Sequence, residues 1–289
     1  MADLAATAPA PRMKWGRFWI APPLLLLALL FLYPLGLIVR QSLGDGDVLS
    51  SAAFAEVLGS HEFRDGLLHT IVIAIGATAG CLLLGFVFSL VIAFVPFPGA
   101  KLASRLIDTF VALPTFLVTL AFTFIYGSAG LLNESLMRLM HTDLPPLDFL
   151  YSQWGVILAE ATVYTPFVMR PLLASFSLID QAQIEVASSL GARPWRIVRQ
   201  IILPAALPAL VAGGSLCLLL TVNEFGIVLF IGAKGVITLP LLIYGKAIQE
   251  FDYTTACVIA VVNIVLSLGL YSLYRVAIAH LGAGRAGVV

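Results

Sequence analysis

The sequence predicts an all-α membrane protein with six transmembrane helices. Three observations lead there. The composition is 60% hydrophobic and only 11% charged, less than half the roughly 25% charge of an ordinary soluble domain. Mean hydropathy is +1.02. Apolar stretches of about 20 residues, the length that crosses a ~30 Å hydrocarbon core, recur six times. A chain this apolar cannot cover itself with polar surface, so a lipid bilayer is its expected solvent.

The expected spans are Phe18–Val39, Leu67–Val95, Ile107–Tyr126, Trp154–Leu178, Ala205–Ile231 and Thr254–Val276. The first follows Arg12, Lys14 and Arg17, as in a secretory signal. Its apolar run of about 22 residues exceeds the 7–15 of a signal core, and no small-x-small cleavage site follows. It is read as a retained span. Pro34, Pro114, Pro166 and Pro208 fall inside spans, where neighbouring helices can satisfy the freed backbone groups.

Lys and Arg distribution predicts an N-in, C-in orientation. The cytoplasmic segments would then hold Arg12, Lys14, Arg17, Lys101, Arg105, Arg193, Arg196, Arg199, Arg275 and Arg285. The outer side would hold Arg40, Arg64, Arg138, Lys234 and Lys246. Acidic residues gather on the outer side, among them Asp45, Asp47, Glu62, Asp65, Glu250 and Asp252. Residues 1–17, rich in Ala and Pro, are expected to form a disordered cytoplasmic N-terminus. Residues 18–278 are expected to form one membrane domain, and residues 279–289 a cytoplasmic tail.

The longest cytoplasmic connection, residues 179–204, reads as two short helices. Asp180 can cap the first, with Gln183 as its capping-box partner. Ile184, Ala187 and Leu190 give that helix an apolar face. Gly191 suits a left-handed stop, and Pro194 suits the first turn of the second helix. Trp195, Val198 and Ile202 form the second apolar face, with Arg193, Arg196 and Arg199 polar. Pro204 is expected to break the pattern before the fifth span. Pattern alone is equally compatible with an interfacial helix that anchors on lipid.

Within this loop, Glu185, Ala187, Gly191, Ile201, Leu203 and Pro204 fit the spacing E-A-A-x3-G-x9-I-x-L-P, with Val186 replacing the second Ala. The segment resembles the EAA loop of binding-protein-dependent ABC importer permeases with a MetI-like transmembrane domain, and the resemblance extends over all six spans. It implies a coupling helix between helices 4 and 5 that docks on a cytoplasmic ABC ATPase dimer. Glu185 would contact the ATPase, and Ala187 and Gly191 would be small because the surfaces approach closely. The other implied partners are a second permease subunit and a periplasmic substrate-binding protein, in a bacterial inner membrane. ATP and Mg would be bound by the ATPase, leaving this chain without a cofactor or catalytic residues.

Charges inside spans are functional candidates. Glu160 and Arg170 share the fourth span; Arg170 can equally snorkel or pair structurally. Asn223-Glu224-Phe225-Gly226 in the fifth span resembles the G-E-F-G element of sulfate, molybdate, thiamine and polyamine permeases, with Asn223 replacing Gly. Glu224 is a candidate for the translocation path, or for a hydrogen-bonded contact between helices. The segments starting at Ile107, Gly213 and Glu250 look like 2-aminoethylphosphonate importer permeases, which implies that substrate. Related polyamine, thiamine, sulfate/molybdate and iron importers are the alternatives, followed by an ion-coupled secondary transporter.

Other patterns carry no chemistry. Gly245-Lys246 is followed by Ala247 and lacks a leading glycine, so it is not a phosphate-binding loop. Gly282 to Gly287 matches G-x-G-x-x-G with no strand before it. His61, His69, His141 and His280 show no metal-ligand spacing. Cys81, Cys217 and Cys257 read as small apolar packers. The net charge of zero gives no reason to expect nucleic acid.

Overall fold

A computed structural model describes residues 20–44 and 50–286. The expected N-terminal segment 1–17, with Arg12, Lys14 and Arg17, lies outside the described residues, as do Asp45, Asp47 and Gly287. Among the described residues the chain is helical, and six stretches are long and apolar enough to cross a membrane.

The first crossing, Ala21–Ser42, joins α1 (Ala21–Leu27) to α2 (Tyr33–Ser42) through a wide turn over Ala28–Leu32. Pro34 follows this turn, with the Tyr33 N–H bonding the Ala28 carbonyl, so the turn's extra residue accommodates its missing donor. A short helix, α3 (Ala52–Gly59), leads to α4 (His61–Phe94). Ser60 caps α4 by accepting from the Phe63 N–H at 3.2 Å. The third crossing departs from expectation. Pro114 ends the helix instead of lying within it, dividing the stretch into α5 (Ala100–Val111) and α6 (Thr115–Tyr126). Proline disfavours helical backbone at the residue before it. At 12 residues, α6 is only about 18 Å long, so α7 (Leu131–Met140) completes the Thr115–Met140 crossing.

The fourth crossing is α8 (Gln153–Phe176), which keeps Pro166 and Pro171 inside the helix. The 179–204 connection holds α9 (Gln181–Ser189) and α10 (Pro194–Ile197). Pro204 does not interrupt the chain there. A π-helical turn over Val198–Ile202 carries α10 directly into α11 (Leu203–Val222), with the Leu203 N–H bonding the Val198 carbonyl. The turn's extra residue absorbs the donor that proline lacks. The fifth crossing is therefore Pro194–Val222. It stops at Asn223 rather than running to Ile231, and the short helices α12 (Gly226–Ile231) and α13 (Leu239–Tyr244) follow. The last helix, α14 (Tyr253–Ala286), continues past the expected sixth span into the tail.

The core forms around α8, packed between α4 and α11. Of each crossing's apolar window, 61% is buried for α8 and 0% for the first crossing, so α8 is central and the first crossing peripheral. Val168 is held from both sides. A Cβ on Gly85 of α4 would come within 2.8 Å of the Val168 Cβ, and one on Gly213 of α11 within 2.9 Å of the Val168 Cα. Small residues let the backbones meet, which is how membrane helices gain packing where lipid removes the hydrophobic driving force. Small polar side chains then reach the α8 backbone. Cys81 donates to the Ala161 carbonyl at 3.4 Å, and Cys217 to the Tyr164 carbonyl at 3.3 Å.

The end of the bundle away from the 179–204 loop is pinned by polar contacts. Thr70 accepts from the Leu239 N–H at 2.8 Å and holds the α12–α13 connection on α4. Lys246 bridges Glu250 at 2.9 Å and Glu62 at 3.2 Å. These bonds hold its ammonium above the usual lysine range, Glu250 contributing most. Hydrogen bonds from Thr255 lower the Asp252 carboxyl at the start of α14.

A leucine at Gly85 or Gly213 should lower the thermal stability of the purified protein by about 1–3 kcal/mol, the usual cost of overpacking. Gly36, whose Cβ would meet nothing within 4 Å, should accept leucine with no change. Equal melting temperatures for all three variants would contradict the close α4–α8–α11 contact.

Candidate functional site

Two groups of expected site residues can be placed. The first is the 179–204 loop. Asp180 caps α9 by accepting from the Ala182 N–H at 2.9 Å. No bond returns from the Gln183 side chain among the described residues, so the cap is single-sided and not a capping box. Gly191 adopts a φ of +82°. The Gly191 N–H bonds the Ser188 carbonyl at 2.9 Å and the Ala192 N–H bonds Ala187 at 3.0 Å. This pair closes the helix as a Schellman motif and satisfies carbonyls that would otherwise be orphaned.

The loop packs on its own chain with one side only. Ile184, Ala187, Ala192, Val198 and Ile201 rest against the main core. The expected apolar faces are only partly used. Leu190, just past the end of α9, is 82% exposed, and Trp195, on α10, is 72% exposed. Val186 and Glu185 are exposed beside them, as are Arg193, Arg196 and Arg199. Gly191 is also exposed, and its Cβ would meet nothing within this chain. Its own fold therefore needs glycine here for the left-handed backbone, not for space. Leu203 is half-buried and Pro204 exposed. The result is an exposed apolar patch rimmed by four charges.

The second group lies where α11 stops. Asn223, Glu224 and Phe225 form a non-helical corner before α12. Glu224 is buried. One of its oxygens accepts from the Ile227 N–H at 2.8 Å, which caps α12. The other accepts from the Tyr164 hydroxyl of α8. Tyr164 was not singled out from sequence, although it lies one helical turn from Glu160, and that spacing was the available signal. Glu160 is 0% exposed, and neither of its oxygens has a hydrogen-bond partner among the described residues. It lies within electrostatic reach of Glu224. The corner thus bonds Glu224 to Tyr164, with the Glu160 carboxyl buried nearby and outside that bond.

Asn223 faces outward and links α11 to α14. It accepts from Asn263 at 3.0 Å and donates to Ser267 at 3.3 Å. Arg170 is exposed on α8. Ten residues separate it from Glu160, about 15 Å along the helix, so the two do not form one site. No group of three or more His, Cys, Asp or Glu side chains suited to a metal occurs among the described residues.

Residues 82–283 match the family of binding-protein-dependent transport system inner membrane components. The chain is 63% identical over 265 residues to PhnU of Salmonella typhimurium, provisionally named a 2-aminoethylphosphonate transport system permease protein, covering 91% of this chain and 93% of that one. It is 29% identical over 257 residues to the sulfate transport system permease protein CysT of Escherichia coli, covering 88% of each. Among solved structures, a bacterial ABC transporter involved in alginate import matches with a TM-score of 0.76 at 18% identity, over 92% of this chain and 96% of that one. The MetNI methionine ABC transporter matches with a TM-score of 0.52 at 19% identity, over 76% and 94%. The fold and the close relatives agree: the chain belongs to the family of binding-protein-dependent transport system inner membrane components, as a non-enzymatic permease subunit of an ABC importer.

Proposed function

We propose that this permease carries 2-aminoethylphosphonate across the bacterial inner membrane. The observation that carries the reading is the 63% identity to PhnU over 91% of the chain, which spans the helices as well as the loop. The chain would lie N-in, C-in, beside a second permease subunit. A periplasmic protein would deliver the substrate, and a cytoplasmic ATPase dimer would supply the energy.

The 179–204 loop is the proposed ATPase contact. Its exposed Val186, Leu190 and Trp195 need a cover that the chain itself does not supply. Glu185 and the three arginines around them would fix the register of docking. Ala187 and Ile201 rest against the bundle, and with Leu203 and Pro204 at the start of α11 they would carry a push on α9 to α11. That transfer is direct because α10 and α11 form one continuous helix.

The corner at Glu224 is the proposed gate. Glu224 ties α8 to the start of α12 through one carboxylate, so releasing either bond would free the corner. Glu160 and Glu224 would then offer negative charge to the substrate's amine. Asn223 and Arg170 are the remaining proposed pathway residues, with Arg170 suited to the phosphonate.

Three measurements test this. Deleting the chain should abolish growth on 2-aminoethylphosphonate as sole phosphorus source, and restoring it should rescue growth; unimpaired growth without another uptake system would discard the substrate. Gly191→Asp should insert normally yet lose the co-purifying ATPase. An active, bound ATPase in that variant would remove the loop from the coupling role. Tyr164→Phe and Glu224→Gln should each slow uptake by roughly tenfold with assembly intact, the scale of one lost buried hydrogen bond. Wild-type uptake in both would remove the corner from the path.

A further inference from the structure

We infer that Tyr271 and Arg275 of α14 bind the phosphonate group of the substrate, on a polar wall of the translocation path that runs along the seam between α11 and α14. The inference rests on the proposed transport of 2-aminoethylphosphonate. It carries the path from Asn223 along α11 to a second, charged position.

Hydrogen bonds lay out the seam, in which α11 and α14 run antiparallel. At the end of α11, Asn223 accepts from Asn263 at 3.0 Å and donates to Ser267 at 3.3 Å. Further along, the Tyr274 hydroxyl donates to the Leu210 carbonyl at 3.1 Å. Gly214 permits that approach, because a Cβ there would collide with the Tyr274 hydroxyl. A cavity of about 570 Å³ opens along the same two helices. Its walls include Pro208, Ala212, Leu216 and Leu219 of α11, and Tyr271 and Arg275 of α14. Asn223 is the next position of that α11 stripe, one turn beyond Leu219, and is exposed like Ala212 and Leu216.

A stripe facing lipid would be apolar, and this one is not. Along the side that meets α11, α14 places Asn263, Ser267, Tyr271 and Arg275 one turn apart. The Asn263 Oδ1 is buried and accepts no hydrogen bond among the described residues. Arg275 belongs to the sixth crossing, Tyr253–Ile278. Polar and ionisable groups inside a crossing face the bundle interior or a water-filled cavity, and they mark substrate pathways. The Arg275 guanidinium donates to the Tyr271 hydroxyl at 3.1 Å, and no carboxylate pairs with it among the described residues. That bond spends a single N–H, and the rest of the planar fork matches two phosphonate oxygens. Because the Tyr271 oxygen accepts from Arg275, its own proton is available for a further phosphonate oxygen. Glu160 and Glu224 do not line this cavity. The substrate's two groups are therefore met at separate stations, the amine at the Glu224 corner and the phosphonate at Arg275.

The test uses the complete transporter, with its ATPase and periplasmic protein, in liposomes. No uptake of 2-aminoethylphosphonate by the wild type would discard the substrate and the phosphonate assignment together. Where the wild type transports it, Arg275→Ala should lower uptake roughly tenfold with assembly intact, the scale of one charge-assisted hydrogen bond. Arg275→Lys should keep most of the uptake. Undiminished uptake by Arg275→Ala would overturn this inference alone. A second readout needs no substrate. Ala212→Cys, on the cavity wall, is treated during turnover with an anionic or a cationic methanethiosulfonate, and the label is read by peptide mass spectrometry. Relative to free cysteine, position 212 should favour the anionic reagent about tenfold, and adding Arg275→Ala should abolish that preference. An unreactive position 212 would mean that lipid or a neighbouring subunit covers the seam, and would overturn the inference. So would a preference that survives Arg275→Ala.

Discussion

The close approach of α8 to α4 and α11 is the constraint from which the rest of the structure follows. In a bilayer there is no water to satisfy a stray backbone group, and lipid tails are as apolar as leucine. Helices therefore stay together through contact area and short polar bonds. Here glycines on both flanks of Val168 let the backbones touch. Small polar side chains such as Cys81 and Cys217 reach the carbonyls of α8. Two prolines are tolerated within α8 because neighbours surround it.

That tight centre leaves two places where the chain is irregular. Where α11 ends, the backbone turns at Asn223 to Phe225, and the bonds that would have continued the helix are replaced by Glu224. At the other end, the turn at Val198–Ile202 lets a proline sit inside a continuous helix. Both irregular points lie on the same crossing. One rigid rod, Pro194–Val222, thus connects the exposed loop to the buried carboxyl corner. A small displacement at one end has a mechanical route to the other, since packed helices shift as units.

The periphery is built differently. The first crossing lies against α14 and buries none of its apolar window. Its leucines are exposed on this chain, and a peripheral crossing asks mainly for hydrophobicity and helix length. Where α14 meets α11, Tyr274 packs over Gly214. Helix α14 packs against α2, α3, α11 and α13.

Much of the fold was legible in the sequence because bilayer thickness acts on composition alone: an apolar run either reaches across or does not. The local backbone code was legible too. Asp180, Gly191 and Pro194 each sit where their own chemistry demands, and the structure places the φ of Gly191 at +82° as expected. What the sequence could not settle was where the long apolar runs break. Ile107–Tyr126 and Ala205–Ile231 both read as unbroken spans, yet the chain turns at Pro114 and at Asn223. Pro204, expected to break a helix, does not. The physical reason is that a proline or an Asn-Glu pair ends a helix only if other groups take up the freed backbone bonds, and those groups come from elsewhere in the fold. The partnership of Tyr164 with Glu224, sixty residues away, and the outward turn of Leu190 and Trp195 were likewise decided by packing in three dimensions. The sequence by itself determined that this chain crosses a membrane and which family it resembles; the tertiary structure decided which of its charges meet.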